Sequence, residues 1–120
     1  MKMLLSKDFV FDAAHNLIHY HGKCEKLHGH TYRLKVVLEG TPDEEGMIMD
    51  FLELSKIVKE HVISILDHSY INDIISQPSA ENIALWIWDK LENLVKRENC
   101  SLYEIHVWET ATSCVTLRKS

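Results

Sequence analysis

The sequence predicts a single α+β domain in which an antiparallel four-stranded sheet carries two helices on one face. The chain has 120 residues, which is the length of one domain. Two segments with strand periodicity are followed by two with helical periodicity and then by two more strand segments. The predicted order over residues 1–120 is therefore strand, strand, helix, helix, strand, strand. A domain this small would share the walls of any deep pocket with a neighbouring subunit.

The first two strands are predicted from alternating apolar side chains. Residues 4–13 alternate with a period of two, and Phe9 and Phe11 lie on the apolar face. Residues 31–39 alternate more clearly. Their apolar face consists of Tyr32, Leu34, Val36 and Leu38. The polar, irregular residues 16–27 between these strands are expected to form a loop.

The two helices are predicted from apolar residues at helical spacing. Asp50 is a candidate N-cap of the first helix, and the second starts near Ser79, directly after Pro78, which suits a helix entry. Leu102–Glu109 and Ser113–Arg118 then alternate as two further strands. The connection between these strands is short enough for a hairpin.

Composition and charge exclude several classes of protein. The net charge of -5 and the scattered basic residues argue against a protein that binds nucleic acid. No apolar run is long enough to cross a membrane, and the apolar run at the start is too short for a secretory signal, so we expect a cytoplasmic protein. Cys24, Cys100 and Cys114 are odd in number and far apart, which favours reduced thiols over disulfides.

Three histidines have a spacing that suggests a metal site. His28 and His30 flank Gly29, and residues two apart on an extended strand point to the same side. His15 ends the first strand and would lie beside them if the two strands pair as a hairpin. Three neutral imidazoles with one open position are typical of catalytic zinc, whereas calcium and magnesium prefer oxygen ligands.

Other side chains near these histidines can carry acid–base chemistry. Cys24 lies four residues before His28, and a thiol near a metal cation loses its proton readily and can act as a base. Asp67 precedes His68, and a carboxylate beside an imidazole can orient it. Glu109 ends a strand and could accept two donors from a guanidine-like group. A solvated helix end and an exposed strand end are the alternatives for the last two sites.

These segments together resemble the 6-pyruvoyl-tetrahydropterin synthase / 6-carboxytetrahydropterin synthase family over nearly the whole chain, from Phe9 to about Cys114. The matching segments are Phe11-Asp12-Ala13-Ala14-His15, Cys24-Glu25-Lys26-Leu27-His28-Gly29-His30, Met49-Asp50-Phe51, Leu66-Asp67-His68-Ser69-Tyr70-Ile71-Asn72-Asp73, Pro78-Ser79-Ala80-Glu81-Asn82 and Trp108-Glu109-Thr110. The resemblance implies the tunnelling fold, a ββααββ unit that assembles into trimers and then into a homohexamer with active sites at subunit interfaces.

The resemblance also implies a role for each candidate side chain. The Zn²⁺ ligands would be His15, His28 and His30. The acid–base residues would be Cys24 and, from a neighbouring subunit, Asp67 and His68. The substrate would be held by Glu109, which anchors the pterin, and by Thr110 and Ser79. At Ser79 the family usually has threonine, so the hydroxyl is kept.

The implied substrate is 7,8-dihydroneopterin triphosphate, which loses triphosphate. The Cys-x-x-x-His-Gly-His spacing favours 6-carboxy-5,6,7,8-tetrahydropterin, a precursor of deazapurines and queuosine, as the product. Two alternatives within the family are the 6-pyruvoyl product and a folate-directed 6-hydroxymethyl product formed with Glu25. An alternative of another class is a non-catalytic structural zinc module, in which Cys24 would be the fourth ligand.

Overall fold

The chain forms five strands and three α-helical segments, and the computed structural model describes all residues from 1 to 120. The elements are β1 (Met3–His15), β2 (His28–Gly40), α1 (Phe51–Val58), α2 (Ser64–Leu66), β3 (Ser69–Tyr70), α3 (Ala80–Leu91), β4 (Cys100–Thr110) and β5 (Ser113–Arg118). A π-helical turn, Lys59–Ile63, joins α1 to α2 without a break, and a 3-10 turn, Ile71–Asp73, follows β3. The predicted first helix is therefore one helical region with a π turn inside it.

The sheet has five strands in the order β3-β1-β2-β4-β5, and it is mixed. The prediction of four antiparallel strands was wrong in this respect, because β3 adds a fifth strand that runs parallel to β1. Only Ser69 and Tyr70 form it, paired with Ala13 and Ala14. Two residues are too few for a period of two to be visible in the sequence. The other four strands pair antiparallel, as predicted.

The β1–β2 ladder determines where the three histidines lie. It runs without a register shift from the Met3–Gly40 pair to the His15–His28 pair. The predicted inward faces are confirmed, since Phe9, Phe11 and the apolar face of β2 are buried. Because side chains alternate along a strand, the inward face of β1 ends at His15.

The core lies between this face of the sheet and the helices, and it includes the apolar side of each helix. Those helical residues are Leu54, Val58, Val62, Leu66, Ile83, Ile87 and Leu91. The predicted Asp50 cap is confirmed, since its carboxylate accepts from the N–H of Leu52 at 2.8 Å. The second helix starts near Ser79 as predicted, and the Ser79 hydroxyl caps it by accepting from the N–H of Asn82 at 3.1 Å. None of the helices has the length and apolar character needed to span a bilayer.

The end of β2 opposite His28 is fastened by the side chain of Asn99. The Asn99 amide donates hydrogen bonds to the carbonyls of Thr41 (2.9 Å) and Ile48 (3.0 Å). Gly40 packs so closely here that an added Cβ would lie 2.2 Å from the Asn99 carbonyl oxygen, which excludes any side chain at this position. The loop after β2 is thus held at the far end of the sheet from the histidines.

Candidate metal centre and active site

The three histidines predicted as metal ligands meet at the end of the β1–β2 ladder. His15 is buried, with 1% of its surface exposed, and His28 and His30 are partly buried. The Nε2 atoms of His15 and His28 lie 3.1 Å apart. The imidazole of His30 lies edge-on to both rings, with centroid distances of 5.3 and 4.8 Å.

Backbone carbonyls fix which ring nitrogens face the centre. Nδ1 of His15 lies 2.9 Å from the carbonyl oxygen of Pro78, and Nδ1 of His28 lies 2.9 Å from that of Lys26. A carbonyl can only accept, so these contacts assign the proton to Nδ1 in both rings and leave the Nε2 lone pairs free. Metal-binding histidines are usually oriented in this way by a partner on the other ring nitrogen.

Glu109 completes a group of four donors with these histidines. Its Oε1 lies 3.0 Å from Nε2 of His30 and 3.6 Å from Nε2 of His15, and the four donor atoms all fall within 4.8 Å of one another. Ligands bound to zinc at about 2.0–2.1 Å in a tetrahedron lie about 3.3 Å apart. The separations among these side chains therefore fit a tetrahedral metal ion.

The state of His30 also fits a metal ligand. Its Nε2 is buried and forms no hydrogen bond, although Glu109 is close, because the two atoms lack hydrogen-bond geometry. Burial lowers the pKa of His30; the Glu109 carboxylate opposes this effect, and His28 and His15 add to it. His30 is therefore neutral at pH 7, with a nitrogen that lacks a partner, as metal coordination requires.

Tyr32 is a member of the site that the sequence analysis assigned only to the core. Its side chain is fully buried and stacks on Phe11 at a centroid distance of 4.9 Å. Its hydroxyl lies 3.1 Å from Nδ1 of His15. Burial raises the pKa of Tyr32 well above its ordinary value, so the hydroxyl stays protonated. The sequence signal was its parity with His30, two residues before it on the same face of β2.

Cys24 is exposed and lies outside the group of four donors. It belongs to residues 16–27, which we call the thiol loop. Its neighbour Glu25 lies beside the outer nitrogen of His28, with Oε1 3.9 Å from Nδ1. The same oxygen accepts a hydrogen bond from the N–H of Leu17 at 3.1 Å. Glu25 thus closes the thiol loop, and the structure places Cys24 one residue from a side chain beside His28.

Asp67 and His68 form a pair that is anchored on β1. The Asp67 carboxylate lies 3.0 Å from Nδ1 of His68 and accepts the N–H of Asp12 at 2.9 Å. The His68 N–H donates to the Asp12 carbonyl at 2.6 Å, and His68 has a φ of 57°, which is uncommon for a residue other than glycine. The Asp12 N–H lowers the pKa of Asp67; slight burial opposes this, and the hydrogen bond from His68 adds to it.

The Asp67–His68 pair lies near the metal site but faces outward. His68 and His30 line one shallow depression, together with Gly29 and Ser69. The His68 side chain is 80% exposed. Its Nε2 is therefore available to a molecule outside this chain.

The two remaining predicted residues lie at element ends. Ser79 caps α3, and Thr110 pairs with Ser113 in the β4–β5 hairpin. Sequence reasoning missed the Pro78 carbonyl, a backbone group that no residue type reveals. It also missed Gln77, whose side-chain amide binds the thiol loop.

Three imidazoles and a carboxylate that meet in one largely buried group are typical of enzymes that use a metal ion. Comparison with known proteins identifies the family. The family model described as 6-pyruvoyl tetrahydropterin synthase matches residues 4–120. The chain belongs to this family and is an enzyme of the tetrahydropterin synthase type, a lyase that acts on small pterin substrates.

The relatives have more than one named activity. The chain is 41% identical to a 6-carboxy-5,6,7,8-tetrahydropterin synthase of Synechocystis sp., covering 92% of this chain and 88% of the relative. It is 46% identical to a dihydroneopterin monophosphate aldolase of Pyrococcus furiosus, covering 78% and 82%. Among solved structures, the Caenorhabditis elegans 6-pyruvoyl tetrahydropterin synthase matches with a TM-score of 0.85 at 26% identity, covering 100% of this chain and 97% of that one.

Proposed function

We propose that this enzyme, with zinc, converts 7,8-dihydroneopterin triphosphate and one water molecule to 6-carboxy-5,6,7,8-tetrahydropterin, releasing triphosphate and acetaldehyde. The observation that carries the proposal is the convergence of His15, His28, His30 and Glu109 in a chain of this family. The named relatives in Synechocystis sp. and in Haemophilus influenzae, at 41% and 34% identity, favour the carboxy product. That product would serve the synthesis of deazapurines such as queuosine.

The donor set favours zinc over other common metals. Three imidazole nitrogens suit zinc, whereas calcium and magnesium require mostly oxygen ligands. A zinc ion bound by His15, His28 and His30 would polarise hydroxyl groups of the substrate side chain and make them easier to ionise. Everything else in the reaction would be performed by side chains of the protein.

Glu109 and Cys24 have distinct roles in this proposal. The Glu109 carboxylate would accept two N–H donors from the amino-pyrimidine edge of the pterin, which fixes the ring and directs the substrate side chain to the histidines. Cys24, as the thiolate, would remove a proton from a side-chain carbon, and the thiol so formed would return one later, as a general base and then a general acid. Thr110 and Ser79 would bind other polar groups of the substrate.

Asp67 and His68 would supply a second acid–base group. Ionised Asp67 accepts the Nδ1–H of His68, which leaves Nε2 as the atom that takes or gives a proton. Because the His68 side chain faces outward, we assign this pair to the active site of a neighbouring subunit.

Assembly of six chains, as a dimer of trimers, would bring these groups together. Two sheet edges are open to pair with other copies: β5 pairs only with β4, and β1 is covered by β3 only at Ala13 and Ala14. Leu4 and Val10 along β1 are exposed apolar side chains. Light scattering after gel filtration that gives a stable monomer would contradict the shared active site.

A second candidate function is cleavage of the pterin side chain to leave a hydroxymethyl group. Two observations favour it: the relative at 46% identity is named as an aldolase, and the Glu25 carboxylate lies 3.9 Å from His28. Against it, the same carboxylate already accepts the Leu17 N–H. A carboxylate that closes a loop is less free to move protons on a substrate.

Product analysis distinguishes these functions. Zinc-loaded enzyme is incubated with 7,8-dihydroneopterin triphosphate, and products are identified by mass spectrometry for the wild type, Cys24→Ala and Glu25→Gln. The glutamine variant is the matched control, since its side-chain oxygen can still accept the Leu17 N–H. We expect a carboxytetrahydropterin that is lost in Cys24→Ala and kept in Glu25→Gln.

Each of the other possible outcomes would support a different conclusion. A hydroxymethyl pterin that is lost in Glu25→Gln would establish the aldolase-type reaction instead. Metal bound tightly by the three histidines with no turnover of 7,8-dihydroneopterin triphosphate would favour the structural zinc module. Full metal content in His28→Ala would contradict the metal centre itself.

A further inference from the structure

The side-chain amide of Gln77 binds the first half of the thiol loop. Its Oε1 accepts hydrogen bonds from the N–H groups of Ile18 (2.8 Å) and His19 (3.2 Å). Its Nε2 donates to the carbonyl of His19 at 3.1 Å. One amide thus satisfies both backbone groups of His19, as a neighbouring strand would.

Asn72 makes the same kind of contact three residues earlier in the loop. Its Oδ1 accepts the N–H of Asn16 at 3.0 Å, and its Nδ2 donates to the Asn16 carbonyl at 2.8 Å. The Tyr70 hydroxyl donates to the side chain of Asn16 at 2.6 Å. The segment from 16 to 19 is therefore held from one side by β3 and the residues that follow it.

This held segment determines the position of Cys24, which lies in the second half of the loop. Tyr20 and Lys23 exchange two backbone hydrogen bonds of 2.7 and 3.0 Å around a tight turn. The next contact is the N–H of Glu25, which donates to the Leu17 carbonyl at 2.8 Å. Both neighbours of Cys24 in the chain are thus bonded to the first half of the loop.

The same stretch of backbone also holds a metal ligand. The carbonyl of Pro78, one residue after Gln77, accepts from His15. The Gln77 carbonyl accepts from the side chain of Asn82 at 2.8 Å, which ties both residues to the first turn of α3. Two consecutive residues therefore contact both parts of the site: Gln77 binds the thiol loop, and Pro78 binds His15.

We propose that Gln77 is a positioning residue for the reaction: its amide sets the Cys24 thiol relative to the histidine cluster through the backbone of His19 and the turn that follows. The proposal rests on the proposed function, in which Cys24 moves protons on the substrate. Gln77 contacts neither the metal ligands through its side chain nor the thiol itself, so its effect is indirect.

Two substitutions test this role by removing different numbers of the Gln77 hydrogen bonds. Gln77→Met removes all three hydrogen bonds with little change of volume, and Gln77→Glu keeps the acceptor but removes the donor to His19. The matched control is Asn99→Asp, which removes comparable hydrogen bonds from a side-chain amide to backbone carbonyls at the far end of the sheet. If Gln77→Met does not fold, Gln77→Glu carries the same test.

Three quantities are measured on zinc-loaded protein: bound metal, kcat and KM, and the alkylation rate of Cys24. Alkylation uses iodoacetamide in a Cys114→Ser background, because Cys114 is the other exposed thiol and Cys100 is buried. We expect metal content to stay full and kcat to fall about tenfold or more with KM changed by less than about threefold. The alkylation rate should change several-fold, because the reactivity of a thiol depends on its surroundings. Asn99→Asp should leave kcat and alkylation at the wild-type level.

Several results would overturn the proposal. They are an unchanged alkylation rate, a loss of kcat that only follows loss of metal, or an equal loss of kcat in Asn99→Asp. Failure of the proposed role of Cys24 can be told apart from failure of the Gln77 proposal, because Cys24→Ala would then keep its activity. The alkylation rate would still report whether Gln77 positions the thiol.

Discussion

Two of the three histidines in the candidate metal site are fixed by a backbone partner on the side away from the centre. His15 is held by the Pro78 carbonyl and lies against the Tyr32 hydroxyl, and His28 is held by the Lys26 carbonyl. Such partners set ring orientation and tautomer before any metal arrives, so little reorganisation is needed on binding. His30 differs from them, because its buried, inward-facing Nε2 has no hydrogen-bond partner.

Glu109 is the residue whose two possible roles differ most in what they predict. As a pterin anchor, its loss as Glu109→Gln should raise KM about 10- to 100-fold, because a charged hydrogen-bonding group contributes about 1.5–3 kcal/mol. Metal content should stay near that of the wild type, since three imidazoles remain. Steady-state kinetics and metal analysis on one preparation measure both quantities.

The opposite pattern would assign Glu109 to the metal. A variant that loses most of its metal while the remaining loaded fraction keeps the wild-type KM would show that the carboxylate is a ligand and not an anchor. Its 3.0 Å approach to His30 makes this a real alternative.

At the scale of elements, periodicity predicted what is long and regular, and it missed what is short or depends on the backbone. The faces of β1 and β2, the Asp50 cap and the start of α3 near Ser79 could be predicted because each depends on residue type at a fixed spacing. The strand β3 was missed because two residues show no period. The π turn Lys59–Ile63 was missed because its apolar face continues that of α1.

The candidate site likewise contains residues that the sequence predicts and contacts that it does not. The histidine triad could be predicted because parity on a strand and a glycine between two ligands are visible in sequence. The backbone carbonyls of Pro78 and Lys26, and the amide of Gln77, act through three-dimensional proximity between distant segments. A single sequence contains no signal for such contacts.

The cap of α3 gives a prediction at this scale. Ser79→Ala removes the acceptor for the Asn82 N–H and should lower the free energy of unfolding by about 1 kcal/mol. Ser79→Thr keeps the hydroxyl and should behave as the wild type. Urea unfolding measures the effect, and equal stability of all three proteins would show that the cap contributes nothing.

The same pair of variants tests whether Ser79 touches the substrate. If it does, KM should rise in Ser79→Ala and return to the wild-type value in Ser79→Thr. An unchanged KM in both would limit Ser79 to its role as a cap.

At the scale of the whole molecule, the face of the sheet away from the helices carries a polar network on β4 and β5. The Glu104 carboxylate is 9% exposed, with His106 Nε2 at 2.8 Å and Arg118 Nε at 2.5 Å. Burial opposes ionisation of Glu104, but these hydrogen bonds outweigh it and lower its pKa. The network ties the edge strand β5 to β4.

This network predicts how stability depends on pH. Because the pKa of Glu104 is lower in the folded chain than its ordinary 4.5, the pair stabilises the fold above about pH 4.5 and the effect is lost as pH falls. Glu104→Gln should therefore cost about 1–2 kcal/mol at pH 7 and less at pH 3. Unfolding in urea at both pH values measures this.

Glu44→Gln is the control for this experiment, since Glu44 is exposed in a loop and makes no ion pair. It changes the net charge by the same amount without touching the network. If the two variants show the same dependence on pH, net charge and not the Glu104 contacts would be the cause.

The uninterrupted β1–β2 ladder makes the metal centre sensitive to insertions and deletions of odd length. A deletion of one residue between Met3 and Ala14 would turn His15 to the opposite face of the sheet and separate it from His28. A deletion of two residues would return it to the correct face. Within the hairpin strands, functional chains of this kind should therefore change length only in steps of two.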